Sequence, residues 1–138
     1  MAVNKFSNYP AYAKAIVFLY TVGYLVMMFY HISGLLELGL FARNTPFIVN
    51  LWYDALGVAI VPFAIIMLYA KPKLGLTISL GVMMVTFLLD ALVRYVIQDD
   101  SYANWFYYYE MSFAIFVLAS YPAMRILVKP KNKSQEYA

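Results

Sequence analysis

Apolar residues gather in four long stretches, at about 11–33, 50–70, 74–97 and 103–127, separated by short polar breaks. Each is near the roughly 20 residues that a helix needs to cross a hydrocarbon core about 30 Å thick. The pattern predicts an all-α integral membrane protein built as a four-transmembrane-helix bundle. Pro10 suits the first turn of span one, where its missing N–H is not needed. Lys71-Pro72-Lys73 leaves only a tight turn, so spans two and three must be antiparallel neighbours. Asp99-Asp100-Ser101 is the equally short turn between spans three and four. The connection at about 34–49 is longer and holds Gly34, Gly39, Arg43 and Pro46. Within it, Leu35 to Phe41 is apolar enough for a separate helix lying in the membrane interface.

The charged residues sort onto opposite ends of these stretches. Lys5, Lys14, Lys71, Lys73, Arg125, Lys129, Lys131 and Lys133 fall at one set of ends. Glu37, Asp54, Asp90, Asp99, Asp100 and Glu110 fall at or near the other. Cytoplasmic flanks accumulate Lys and Arg, so both termini are expected inside (N-in/C-in), in the cell (inner) membrane. Trp52 and Tyr53 open span two, and Tyr102 and Trp105 to Tyr109 open span four, as amphipathic rings do at the headgroup level. The expected organisation is a single four-helix transmembrane domain over 1–128 and a basic, polar cytoplasmic tail over 129–138. The sequon at Asn132-Lys133-Ser134 would not be glycosylated in such a tail. Residues 1–14 hold Lys5, Asn8, Pro10 and Lys14 without a continuous apolar core, so a cleavable signal peptide is not expected there.

Composition narrows the chemistry. Of 138 residues, 64% are hydrophobic and 12% charged, against about a quarter charged in a soluble domain. The net charge of +3 sits at interfaces, where it meets anionic headgroups. With no basic stripe interleaved with aromatics, nucleic acid is not an expected partner. Cysteine is absent, which removes thiolate catalysis, disulfide exchange and zinc–thiolate sites. The single histidine, His31, rules out a bis-His haem or an HExxH site within one chain. No residue pattern names a cofactor.

The two halves resemble each other weakly at an offset of about 58 residues. Val22-Gly23 matches Leu80-Gly81, Phe29 matches Phe87, and Lys71-Pro72-Lys73 matches Lys129-Pro130-Lys131. Two repeated helix hairpins are one reading; convergence on the same belts and basic ends is the other. Gly23 and Gly81 are expected to let helices one and three approach closely. Pro62 and Pro122 are expected to kink their helices.

Asp54, Asp90 and Glu110 each lie one to two turns inside the acidic end of a span. An ionised group at the membrane centre costs about 2.5–3.5 kcal/mol on insertion scales and less near the edge. These groups should therefore face the bundle interior and find partners. Arg94 follows Asp90 by four residues, on one helix face, and could pair with it. His31 sits at nearly the same depth, so His31, Asp54, Asp90 and Glu110 would form one layer with a residue from each helix. Tyr30, Tyr53, Tyr95 and Tyr107 to Tyr109 add hydroxyls around it.

Three readings fit this layer: a packing network, a pocket for an amphiphile, or a metal or proton site. No paired spacing such as ExxH supports a metal, and the inner halves of the spans carry no carboxylate for a through-membrane relay. The favoured expectation is a small polytopic protein that binds an amphiphilic ligand, lipid or quinone-like, or a partner membrane subunit. The ligand-binding residues would be His31, Asp54, Asp90, Arg94, Tyr109 and Glu110. The alternative is a small membrane enzyme, an isomerase, cyclase or hydrolase of a lipid or isoprenoid, with Asp90, Glu110 and His31 as catalytic candidates. A chain of this size is also expected to assemble, as a homo-oligomer or as a subunit of a larger membrane complex.

Overall fold

The computed structural model describes residues 6, 9–41, 45–97 and 105–127. Among them there is no strand, only four helical rods. These are α1 (Ala11–Leu38), α2 (Phe47–Ala70), α3 (Pro72–Leu92, continued by a π turn at Val93–Ile97) and α4 (Trp105–Leu127). Proline starts three of them. Pro10 and Pro46 stand immediately before α1 and α2, and Pro72 is the first residue of α3. Each places its fixed φ and missing N–H where a helix has no use for that donor.

α1, α2 and α3 are long and apolar enough to cross a membrane, the mark of an integral membrane protein. At 1.5 Å per residue the 28 residues of α1 extend about 42 Å, more than a hydrocarbon core requires. The extra length comes from Leu35–Leu38. These residues continue α1 instead of forming the separate interfacial helix that the sequence led us to expect, and Gly39 ends the run with φ of 86°. α4 is 23 residues long. Its first turns hold three tyrosines and Glu110, and Arg125 lies near its end, so it is less apolar than the others.

The rods close into a ring in which α1 packs against α2 and α4, and α3 packs against α2 and α4. Contacts fix the directions. Tyr20 reaches Ser120 while Tyr30 stacks on Phe106, so α1 and α4 run antiparallel. Trp52 reaches Thr86 and Gly75 lies against Leu68, so α2 and α3 do too. One end of the bundle therefore collects Lys14, Lys71, Lys73 and Arg125, and the other Glu37, Asp54, Asp90, Arg94 and Glu110. Residues such as Phe29, Leu36, Val58, Ile66 and Leu88 are exposed on the outside, the surface an acyl environment would cover.

The α1–α4 seam is aromatic. Tyr30 stacks on Phe106 with centroids 3.5 Å apart, Phe106 on Tyr109 at 5.7 Å, and Tyr109 on Phe113 at 6.2 Å. Tyr24 and Tyr20 meet Phe113 edge-on, and Tyr20 meets Phe116. Gly23 is buried because the Phe113 ring occupies the space a Cβ would need. Gly81, its counterpart in the suggested repeat, has nothing within 4 Å of that position. The expected close approach of helices one and three through this glycine pair is thus replaced by ring packing between α1 and α4. The two positions share no environment. The close backbone approach lies elsewhere, where Gly75 of α3 meets Met67 and Leu68 of α2.

α2 contains a π turn at Leu56–Ile60. Pro62 lacks the N–H that would bond residue 58, and its ring crowds that carbonyl. The widened turn just before it relieves both. The turn at Asp99-Asp100-Ser101, Arg43, the sequon and the tail beyond residue 127 lie outside the described residues.

Candidate functional site

A buried polar cluster occupies the acidic end of the bundle. His31 comes from α1 on the stripe that also buries Tyr20, Tyr24 and Met27. Its Nε2 lies 2.9 Å from Glu110 Oε1 of α4, and both residues are almost wholly buried. The bond has Nε2–H donating to the Glu110 carboxylate, or a protonated Glu110 donating to Nε2, and the contact becomes an ion pair when the ring is protonated and the carboxylate ionised. Tyr53 of α2 stacks on the imidazole at 5.5 Å, and Phe106 meets it edge-on at 5.6 Å. The Tyr53 hydroxyl donates to Asp90 Oδ1 of α3. Glu110 and His31 lie near Asp90. Four helices thus each contribute one polar side chain: His31, Tyr53, Asp90 and Glu110.

Gly57 allows α1 and α2 to meet at this level. A Cβ there would sit 2.9 Å from His31 Cβ and 3.2 Å from the Ile32 nitrogen, closer than ordinary packing permits. Gly57 belongs to the π turn of α2, and the second π turn begins three residues after Asp90. Both irregular turns therefore flank the cluster, a placement common for π turns at functional sites.

Asp90 is 1% exposed, and its Oδ2 has no hydrogen-bond partner among the described residues. Buried polar atoms are nearly always paired, and the exceptions call for an explanation.

The expected layer had Asp54 where Tyr53 stands. The Asp54 Oδ2 instead accepts the backbone N–H of Phe41 at 3.0 Å. Phe41 holds φ of 56°, a left-handed conformation that a non-glycine residue adopts only at some cost, and the bond secures it. Asn50, whose amide donates to the Thr45 carbonyl at 2.9 Å, ties down the same connection. Two α2 side chains therefore anchor the preceding loop, and Asn50 was not singled out in the sequence.

Two further site candidates also fall elsewhere. The Tyr109 hydroxyl donates to the Gly23 carbonyl at 2.8 Å and its ring belongs to the aromatic seam, so it packs α1 to α4. Arg94 does not pair with Asp90, because the π turn over Val93–Ile97 alters the register that a four-residue spacing assumes. Arg94 instead acts on the hydroxyl of Tyr107, which also bonds Tyr95 and lies near Asp90. Tyr53 was expected only at the rim. The signal that would have centred it is its stripe: Val49, Tyr53, Leu56, Gly57, Val61, Ala64 and Leu68 are all buried on α2.

The basic half of the bundle carries a second, neutral polar layer. The Tyr20 hydroxyl lies 3.1 Å from the Val117 carbonyl and 2.7 Å from Ser120 Oγ, and Tyr24 lies beside Ser79. These contacts between hydroxyls and backbone carry no ionisable carboxylate and read as packing.

The candidate site combines two carboxylates, one imidazole and one phenol, walled by rings. Such a set can accept hydrogen bonds from a polar head and can move a proton between adjacent groups. Comparison with protein-family models, with curated proteins and with solved structures finds no match, so the reading of this membrane protein rests on its own residues.

Proposed function

We propose that this chain is a four-pass membrane protein, with α4 as the fourth span and both termini cytoplasmic, whose His31–Tyr53–Asp90–Glu110 cluster binds the polar head of an amphiphile. The topology is supported by the gathering of Lys14, Lys71, Lys73 and Arg125 at one end of the bundle. The single observation that carries ligand binding is the Asp90 carboxylate. A network built only for packing would engage both oxygens of a buried acid, whereas Asp90 offers one to Tyr53 and keeps the other for a further donor.

Native mass spectrometry of the protein in mild detergent tests this. The wild-type chain is expected to retain one lipid-sized adduct that Asp90→Asn loses while keeping its melting temperature within a few degrees. A wild-type chain without an adduct, or an adduct that both forms keep equally, overturns the reading.

A second reading is carried by the His31–Glu110 bond, which places a base and an acid in direct contact beside a second carboxylate. The protein would then be a small isomerase, cyclase or hydrolase acting on a lipid or isoprenoid. In that case Glu110→Gln retains the adduct but stops its conversion, read as a change in chromatographic retention of the extracted molecule.

A further inference from the structure

Backbone polar groups beside lipid must find partners within the protein, because acyl chains offer none. The chain leaving α1 meets that demand. Gly39, with φ of 86°, and Phe41, with φ of 56°, turn it back, and the Phe41 N–H bonds Asp54 Oδ2 at 3.0 Å. The Asn50 amide holds the Thr45 carbonyl at 2.9 Å, and both Asn50 and Asp54 are buried. The apolar side chains do the reverse. Phe41, Phe47 and Ile48 are 44%, 65% and 64% exposed, and Leu36 is 80% exposed. A connection shaped by water would turn its polar groups outward. From this inversion we infer that Leu36, Phe41, Phe47 and Ile48 form a surface seated in lipid, at the headgroup–acyl boundary of the leaflet at the acidic end. None of the four belongs to the His31 cluster, and their seat is independent of what that cluster binds.

Depth favours the same occupant. Asp54 follows Phe47 by seven residues in the sequence of α2, about 10 Å along the helix axis. Its side chain reaches the Phe41 N–H, so the chain leaving α1 dips below the start of α2, to near the level of Trp52 and Tyr53. Amphipathic rings of this kind gather at the headgroup level, and Trp105 is exposed beside Tyr30 at the same end. Apolar groups that settle in this zone reach about 5–10 Å into the headgroup–acyl boundary.

The surface is also continuous with the flanks that face acyl chains. Ile48 leads into the exposed stripe of Leu51 and Val58 on α2, and Leu36 stands two turns beyond the exposed Phe29 on α1. Phe41 joins them by stacking on Phe47, with centroids 5.1 Å apart. The acids of this end do not break the surface, because Asp54, Asp90 and Glu110 are buried. Glu37 is exposed in the last turn of α1, where a carboxylate at headgroup level reaches water. A protein partner would bring donors and acceptors of its own and would not require the backbone to be satisfied from within.

The test places an environment-sensitive nitrobenzoxadiazole dye on Phe41→Cys and on Phe47→Cys in phosphatidylcholine nanodiscs, where both faces meet water. The chain has no cysteine to compete for the label. Val58→Cys calibrates a lipid-facing position and Lys71→Cys an aqueous one. Lipid carrying a spin label near the glycerol end of its acyl chain should quench the dye at positions 41 and 47 at least about twofold more than iodide does. Lys71→Cys should show the opposite order. Adding Asp54→Ala should open position 41 to iodide and leave position 47, which α2 holds, as it was. Asp54→Asn keeps an accepting oxygen and should keep position 41 shielded. Iodide that reaches positions 41 and 47 as freely as position 71 would overturn the inference. Shielding from both quenchers that is relieved by dilution into excess lipid would place a second copy on this face and overturn it equally.

Discussion

His31 and Glu110 are the residues whose loss should be felt most sharply in stability. They are buried 79 positions apart in sequence and share one hydrogen bond. Contacts of this kind within membranes average below about 1 kcal/mol and reach nearly 2 kcal/mol at most. A double-mutant cycle of His31→Gln and Glu110→Gln, read as unfolding free energy in detergent, should therefore give a coupling near 1 kcal/mol. A coupling of zero would mean that the pair does not form. The residue types at this site were legible in the sequence, because a charge inside an apolar stretch is conspicuous. Their exact partners were not. Asp54 and Tyr53 are adjacent, and whether the acid or the phenol faces the bundle axis depends on a helical phase that a π turn three residues later makes hard to count.

At the scale of elements, the bundle is set by where helices can approach. Gly57 and Gly81 make opposite predictions although both are glycines in apolar helices. Gly57→Ala forces a methyl group against His31 and the α1 backbone, and should cost about 1–3 kcal/mol as overpacking does. Gly81→Ala meets nothing within 4 Å and should shift the melting temperature by no more than a degree or two in either direction; the gain in helix propensity is small. Thermal unfolding of the two variants side by side checks this, and equal effects would contradict the packing described. The sequence marked both glycines as small residues in spans but held no means of telling which one faced a neighbour. Helix limits were more legible, because Pro10, Pro46 and Pro72 punctuate them. The continuation of α1 to Leu38 was not, since an apolar run past a Gly reads equally well as one helix or two.

For the whole molecule, the testable quantity is which side of the membrane each end occupies. The chain has no cysteine, so single-cysteine variants report without background. Lys71→Cys and Arg125→Cys should react with an impermeant maleimide only from the cytoplasmic side, and Leu40→Cys only from the opposite side. Labelling of Arg125→Cys together with Leu40→Cys would show that α4 does not cross and would leave three spans. Charge sorting suggests the proposed topology without reference to any contact, because the energetics of membrane insertion act on local sequence. The order of helices around the ring and the aromatic seam depend on long-range packing that composition does not encode.

Apart from Thr21–Tyr69 within the first pair of helices and Tyr107–Tyr95 within the second, five polar contacts between helices share one arrangement. His31 meets Glu110, Tyr53 meets Asp90, Trp52 meets Thr86, Tyr20 meets Ser120 and Tyr109 meets the Gly23 carbonyl. Each joins the first two helices to the last two. A ribosome delivers α1 and α2 to the membrane before Asp90 and Glu110 have been made, so His31 and Tyr53 wait there for their future partners. The second pair of helices then arrives as the matching half of a clasp, and a chain that stops short, or meets the wrong neighbour, leaves its polar groups facing lipid. The residues of the candidate site thereby meet their partners only once helices from both halves of the chain are present.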